Sequence, residues 1–164
     1  MKQLILIAHN VRSTHNIGSL LRTADGLGIT MVYITGYSPY PIKPNDTRLP
    51  HAAQKIHKQI QKTALGAETS TAWQQSESLD DVLEDLRRQG FMIAALEQAA
   101  DSVSLPDFAA PDKLALIVGR EVEGIEPEVL AACDVILEIP MRGQKESFNV
   151  SVAGAMALFY LSLT

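Results

Sequence analysis

Runs of apolar residues alternate with segments of helical spacing along this chain. Four runs consist almost entirely of apolar residues, which is typical of strands buried on both faces of a sheet. They are LILIA (4–8), MVYIT (31–35), FMIAAL (91–96) and LALIVG (114–119). A fifth run, DVILEIP (134–140), alternates more strongly and predicts a further strand, whereas the proline-rich stretch 36–50 is predicted to be a loop. Strands that alternate with helices predict an α/β fold around a mainly parallel sheet.

Three segments between these runs are predicted to be helices. NIGSLLRTADGLG (16–28) places its apolar residues on one face, with Asn16 as a candidate N-cap and Gly28 as the stop. SLDDVLEDLRRQG (78–90) starts with a serine cap and has acids in its first turn and arginines in its last. PEVLAAC (127–133) starts with a proline, which suits the first turn of a helix.

The C-terminal segment poses a packing problem. Residues 150–161 are almost entirely apolar, so they predict a helix that other parts of the protein cover on every side. Polar residues precede this segment, and Ser147 is the predicted N-cap of the helix. Asn149 is harder to explain, because an amide next to an apolar segment must find partners or cost about 1–3 kcal/mol.

Composition and charge narrow the class of protein. With 164 residues, of which 46% are hydrophobic and 20% charged, one globular domain (1–164) is expected. The net charge of −5 argues against a general nucleic-acid coat, so any contact with nucleic acid must be local. No apolar run reaches the ~20 residues of a membrane span, and the N-terminal run is too short for a signal peptide. The one cysteine, Cys133, excludes an internal disulfide and is interpreted as a small buried hydrophobe. We therefore expect a cytoplasmic protein.

The loop after the fourth apolar run carries candidate chemistry. In LALIVGREVEGIEPEVL (114–130), Glu121 and Glu123 lie between a strand and a helix, where open α/β sheets bind ligands. The stretch matches neither the dinucleotide-binding glycine pattern nor a phosphate-binding P-loop. Its acids suit a cationic ligand, although acids before a helix also simply complement the helix dipole.

Three stretches together resemble one protein family. NIGSLLRTADGLGI, LIVGREVEGI and IPMRGQKESFNVSVAGAMALF are similar to the three motifs of the SpoU/TrmH-type RNA ribose 2′-O-methyltransferases of the SPOUT superfamily. The resemblance covers the chain nearly end to end, and the third motif is the most specific. It implies a Rossmann-like α/β fold with a parallel sheet and a C-terminal deep trefoil knot. It also implies a homodimer, in which the sheet and the partner subunit cover the terminal helix.

The resemblance implies that the cofactor is S-adenosylmethionine (AdoMet), bound in the knot largely through backbone groups. The matching cofactor-binding positions are Leu96, Gly119, Ile139, Met141, Ser147 and Phe148. Most of these residues are apolar, which suits an adenine slot with few convergent polar groups. The implied reaction transfers the methyl group to a ribose 2′-hydroxyl of RNA.

The matching catalytic positions are Arg22, Asn16, Glu121, Ser147 and Asn149. On its own, Arg22 is an ordinary solvated helix arginine; the resemblance implies that it acts in the partner subunit's site. Because a guanidinium keeps its proton at any physiological pH, we expect Arg22 to orient a phosphate or stabilise an alkoxide rather than act as a base. We expect Glu121 and Asn149 to hold the loops, the dimer and Arg22 in register, with Ser147 close to the reacting centre.

The chain resembles the minimal form of the family, so its catalytic domain is expected to hold RNA without an added binding domain. Residues 51–66 are a basic segment in an acidic protein, and the predicted RNA-binding residues are Arg48, Lys55, Lys58 and Lys62. The three lysines share one face at helical spacing, and a merely solvated helix face is the alternative interpretation. Transfer RNA is the favoured substrate, because small members of the family often act on it.

Two other classes of function are considered. A catalytically idle RNA-binding or assembly module would not need Arg22, Glu121, Ser147 and Asn149. A flavodoxin-like nucleotide-binding domain would need a phosphate-binding loop after the first strand, and AHNVRSTHN has no glycine there. No metal is expected, because the four histidines lack a ligand partner at sensible spacing.

Overall fold

The computed structural model describes residues 2–163. The strands within this range are β1 (Gln3–His9), β2 (Met31–Thr35), β3 (Trp73–Ser76), β4 (Met92–Leu96), β5 (Val103–Ser104), β6 (Lys113–Val118) and β7 (Val135–Glu138). The helices are α1 (Thr14–Leu27), α2 (Pro50–Ala64), α3 (Ala67–Ser70), α4 (Leu79–Arg88), α5 (Pro127–Ala131) and α6 (Val150–Leu163), and a 3₁₀ turn spans Leu105–Asp107.

The strands form one parallel sheet in the order β3-β2-β1-β6-β4-β7-β5. The chain first forms β1, β2 and β3 side by side, then β4 and β5, and returns to place β6 between β1 and β4. It then places β7 between β4 and β5. Because all strands run in one direction, the loops that follow β1, β4, β6 and β7 meet at a single edge of the sheet.

Helices cover both faces of the sheet, which explains why the central strands are apolar on both sides. On one face, Leu4 and Leu6 of β1 belong to a core that includes the buried side chains of α1, α2 and α6. On the other face, Ile5 and Ile7 pack with residues of α4 and with Ile125. We call these two sides the α1 face and the α4 face.

The apolar pattern predicted five strands, and all five are confirmed to within two residues at each end. The structure adds β3 and β5, which the pattern missed because they are short and largely polar, with sequences WQQS and VS. The loop predicted for 36–50 is also confirmed up to Leu49, and Pro50 begins α2.

Two predicted helix caps are wrong. The N-cap of α1 is Ser13, whose hydroxyl accepts the amide N–H of Asn16, while Asn16 itself lies inside the helix and is buried. The first turn of α6 is capped by Asn149 and not by Ser147, because Asn149 Oδ1 accepts the amide N–H of Ser151 at 2.9 Å. The other predicted boundaries hold: Gly28 ends α1 in the left-handed conformation with φ 65°, and Ser78 caps α4.

Helix α6 is buried on one side only. Its small residue Gly154 lies so close to α1 that an added Cβ would come within 2.8 Å of Leu20. Its opposite side carries exposed apolar residues, with between 41% and 69% of each side chain's surface accessible. These residues are Val152, Met156, Phe159 and Leu163. None of the helices described here is long and apolar enough to cross a membrane.

Candidate active site

A pocket opens at the carboxyl edge of the sheet, where the loops after β4, β6 and β7 meet the start of α6. Five of the six predicted cofactor-binding residues line it, and Met141 does not. The five are Leu96, Gly119, Ile139, Ser147 and Phe148. The fold therefore brings together residues that lie up to 52 positions apart in the sequence, as Leu96 and Phe148 do.

The walls of the pocket combine apolar and acidic side chains. Leu96, Val118, Ile139 and Phe148 supply apolar surface, while the acids are Glu97, Glu121 and Glu138. The Glu97 carboxylate is held by the backbone, because it accepts the amide N–H groups of Gln98 and Ile125 at 3.0 Å each. Such a pocket suits a ligand that has an aromatic or aliphatic part and carries positive charge.

Gly119 allows the loop after β6 to fold back over the strand end. A Cβ at this position would lie 2.5 Å from the Ile125 side chain and 3.2 Å from the Ile125 amide nitrogen, so only glycine permits this approach. An antiparallel bridge between Arg120 and Gly124 closes the loop. This tight turn presents Glu121 towards the N-terminus of α1.

Glu121 ties this loop to the start of α1. One carboxylate oxygen accepts the Ser13 amide and the Asn16 side-chain amide, both at 3.0 Å, and the other accepts the Arg12 amide at 3.1 Å. Partial burial would raise the pKa of the Glu121 carboxyl. The hydrogen bonds from Asn16, Ser13 and Arg12 oppose that effect and lower the pKa overall. Glu121 is thus held as a carboxylate.

The same network continues to α6. The Asn149 side-chain amide donates to Asn16 Oδ1 at 3.2 Å, while Asn149 Oδ1 accepts from both the backbone and the hydroxyl of Ser151. We call the chain Glu121–Asn16–Asn149 the asparagine network. It joins one predicted polar residue from each of the three motifs, and it shows where the amide of Asn149 finds its partners.

Ser147 and Arg22 are placed differently. Ser147 is exposed and lines the pocket without joining the asparagine network. Arg22 is exposed on α1, and its side chain makes no hydrogen bond or ion pair with residues 2–163. It lies six residues after Asn16, which on a helix is about 9 Å along the axis and roughly two-thirds of a turn away. Arg22 therefore points to a different side of α1 from the asparagine network.

The predicted RNA-binding residues fall into two groups. Lys55, Lys58 and Lys62 are exposed on α2, as the helical spacing predicted. Arg48 is engaged inside the preceding loop, because its guanidinium pairs with Asp46 at 2.6 Å and lies 3.7 Å from the ring centre of Tyr40. It also donates to two backbone carbonyls of that loop. Arg48 thus organises the loop that leads into α2.

The comparison with a family model decides the family. The model of the SpoU rRNA Methylase family matches residues 3–159. The chain belongs to the SpoU rRNA methylase family.

Two curated relatives resemble the chain in sequence, and one solved structure shares its fold. It is 30% identical over 161 residues to the tRNA (guanosine(18)-2′-O)-methyltransferase of Aquifex aeolicus, covering 96% of this chain and 68% of the relative. It is 32% identical over 157 residues to the 23S rRNA (guanosine-2′-O-)-methyltransferase RlmB of Ralstonia nicotianae, covering 95% of this chain and 57% of that protein. The structure of the SpoU methyltransferase AviRb from Streptomyces viridochromogenes in complex with AdoMet has the same fold. Its TM-score is 0.81 at 22% identity, over 99% of this chain and 57% of that one.

A second polar cluster lies just outside the SpoU motifs, and the sequence interpretation missed it. His9, Asn10 and Glu126 meet at the ends of β1 and of the loop after β6. By the alternation of side chains along β1, His9 shares the α4 face with Ile5 and Ile7. The available signal was a pair of polar residues directly after a buried apolar strand, as in LILIAHN.

Burial dominates the electrostatics of this second cluster. It lowers the pKa of the His9 imidazole, although the Glu126 carboxylate, 3.6 Å away, pulls in the opposite direction. Burial would raise the pKa of Glu126, but the hydrogen bond from Asn10 and the charges of His9 and Arg120 lower it overall. One oxygen, Glu126 Oε2, is buried without a hydrogen-bond partner.

Two further predictions concern metals and the lone cysteine. Within residues 2–163, no group of three or more His, Cys, Asp or Glu side chains is arranged to hold a metal ion. Cys133 is partly buried, and burial raises the pKa of its thiol to about 11, so little thiolate exists at neutral pH. This agrees with its interpretation as a small packing residue.

Proposed function

We propose that this protein is an AdoMet-dependent RNA methyltransferase that transfers a methyl group to a ribose 2′-hydroxyl. The observation that carries the proposal is the asparagine network, which joins one polar residue from each of the three motifs beside a partly acidic, partly apolar pocket. Membership of the SpoU family and the names of the two relatives support the same reaction.

The pocket residues suit AdoMet. Leu96, Ile139 and Phe148 offer apolar surface to the adenine ring, and Gly119 and Ser147 offer backbone groups. Met141 does not line the pocket, and its contact with the cofactor stays a prediction. AdoMet, when bound, supplies a methyl group on a positively charged sulfonium. The acids Glu97, Glu121 and Glu138 complement the positive charges of such a cofactor. The protein's main task is then to align the hydroxyl with the methyl group.

We propose that the active form is a homodimer. The exposed residues Val152, Met156, Phe159 and Leu163 are spaced by four, three and four positions, so they form one apolar stripe along α6. A second copy of the chain would cover this stripe. Arg22 lies on α1, which packs against α6, and it points away from its own subunit's asparagine network. In a dimer, Arg22 therefore reaches the partner subunit's site and stabilises the developing alkoxide or orients the RNA phosphate.

The proposed fold includes the trefoil knot that the family resemblance implies. The position of β7, inserted between β4 and β5, supports it. The chain that leaves β7 must pass the connection from β4 to β5 to reach α6, and Gln98 in that connection donates to the backbone of Glu146 at 2.8 Å.

We propose that RNA is held by Lys55, Lys58 and Lys62 on α2. The substrate class is tRNA, with rRNA as the alternative that the RlmB relative favours. The chain spans only 57% of RlmB, so the substrate of the longer protein is not carried over. Three phosphate contacts would give a slope of about −3 for log affinity against log salt. The proposed compartment is the cytoplasm.

The test is methyl transfer from labelled AdoMet to total small RNA, followed by digestion to nucleosides. We expect label in a 2′-O-methyl nucleoside, and we expect Arg22→Ala to remove it while the exposed control Arg88→Ala keeps it. Methyl transfer to 23S rRNA but not to small RNA would show that the substrate is rRNA and not tRNA. If the unaltered protein does not bind AdoMet in calorimetry, the result would instead support the catalytically idle RNA-binding module.

A further inference from the structure

Asn10 occupies an unusual backbone position between β1 and α1. Its φ is +54°, in the left-handed region that non-glycine residues other than asparagine and aspartate rarely adopt. Its amide N–H donates to the Thr35 carbonyl at 3.2 Å, so the backbone follows the end of β2. The side chain is partly buried and contacts the loops beside it.

The Asn10 side chain connects three segments at the carboxyl edge. Its Oδ1 accepts the Tyr37 amide at 3.1 Å in the loop after β2. Its Nδ2 donates to Glu126 Oε1 at 2.8 Å, at the end of the loop after β6. The same nitrogen lies 3.1 Å from His9 Nε2 at the end of β1. One carboxamide thus joins the end of β1 to the loops after β2 and β6.

An asparagine is chemically required for this arrangement. A carboxamide both donates and accepts, whereas an aspartate at this position would have no donor and would face the Glu126 carboxylate with like charge. Glycine would accept the positive φ but would supply neither hydrogen bond. The contact to Glu126 matters most, because Glu126 ends the loop that begins at Gly119 and carries Glu121.

We propose that Asn10 is a positioning residue that holds the loop 119–126 in place, and through it Glu121 and the wall of the pocket. Glu121 is fixed from the α1 side by Asn16 and the backbone of Arg12 and Ser13. Asn10 fixes the other end of the same loop from the α4 face. The consequence for AdoMet rests on the proposed function, whereas the consequence for the loop does not.

The test compares two matched substitutions, Asn10→Gly and Asn45→Gly. Asn45 also has a positive φ of 56°, but it lies in the loop before α2 and does not line the pocket. Glycine preserves both backbones, so only the side chains are removed. Amide hydrogen exchange of residues 119–126 is measured in the ligand-free protein, and AdoMet affinity is measured by calorimetry.

In Asn10→Gly we expect amide exchange in 119–126 to accelerate about tenfold, the equivalent of one lost hydrogen bond, and AdoMet to bind about tenfold more weakly. Asn45→Gly should change neither quantity. Glu126→Ala should resemble Asn10→Gly, and the double variant should be no worse than either alone, because both remove the same contact.

Unchanged exchange of 119–126 in Asn10→Gly would overturn the proposal, as would additive effects in the double variant. Equal acceleration across the whole chain would also overturn it, because that pattern indicates general loss of stability. If the unaltered protein fails to bind AdoMet, the proposed function fails, yet the exchange comparison still decides the role of Asn10.

Discussion

The carboxyl edge of the sheet carries two polar clusters that differ in how completely they are satisfied. In the asparagine network on the α1 face, both oxygens of Glu121 accept hydrogen bonds and both amide groups of Asn16 and Asn149 have partners. In the cluster of His9, Asn10 and Glu126 on the α4 face, Glu126 Oε2 has no hydrogen-bond partner and lies 3.6 Å from the His9 imidazole. A fully bonded network holds one arrangement, whereas the second cluster can change with the proton on His9.

The largest effect is expected from breaking the first network at its centre. Glu121→Ala removes the acceptor of two backbone amides and of Asn16. We expect methyl transfer to fall at least about a hundredfold, because misplacing catalytic groups by a small distance is costly. Single-turnover kinetics measure this change. A rate within a few fold of the unaltered protein would refute the role assigned to the network.

A smaller effect is expected at the other end of the network. Asn149→Ala removes the cap of α6 and the link to Asn16, and we expect the free energy of unfolding to fall by about 1–2 kcal/mol. Denaturant unfolding measures it. In a double-mutant cycle, Asn16→Ala and Asn149→Ala should be non-additive; simple addition would mean that the 3.2 Å contact contributes nothing.

Protonation of the second cluster should change folding stability near neutral pH, whereas the asparagine network should not titrate there. Burial lowers the pKa of His9 below its usual value near 6.5, so the unfolded chain binds this proton more readily than the folded one. Folding stability therefore decreases as the pH falls from about 7.5 to 5.5. His9→Gln should flatten this part of the stability profile relative to the unaltered protein. Parallel profiles for the two proteins would contradict the assignment.

The smallest effect is expected at Glu123, an exposed residue of the loop 119–126. Glu123 lies two residues from Glu121 but is exposed and pairs with the side chain of Arg12. Exposed ion pairs contribute little, so Glu123→Gln should leave both unfolding and methyl transfer unchanged. A large loss of activity in this variant would show that the whole loop, and not Glu121 in particular, is needed.

Most of the sheet could be predicted because its strands are apolar runs, and an apolar run is a local signal. The errors occurred where a distant partner decides. Asn16 looks like a helix cap in isolation, yet Glu121, 105 residues away, holds it inside the helix, and Ser13 takes the cap. Propensity rules describe neighbours in the chain and contain no information about such partners.

The candidate site also contains residues that the sequence identified and residues that it missed. Family motifs identified Asn16, Glu121 and Asn149, and the fold brings these three residues together. Asn10 and Glu126 were missed because they are separated by 116 positions and each resembles an ordinary loop residue. Arg22 could be recognised only by resemblance, since its surroundings within one subunit are solvent.

The position of β6 has a consequence for synthesis of the protein. This strand lies between β1 and β4, so β1 keeps one unpaired edge until residues 113–118 have left the ribosome. An apolar strand with an open edge readily pairs with other chains. Nascent chains that stall before β6 should therefore depend on chaperones and aggregate when these are depleted, whereas chains that have also completed β7, which covers the other edge of β4, should not.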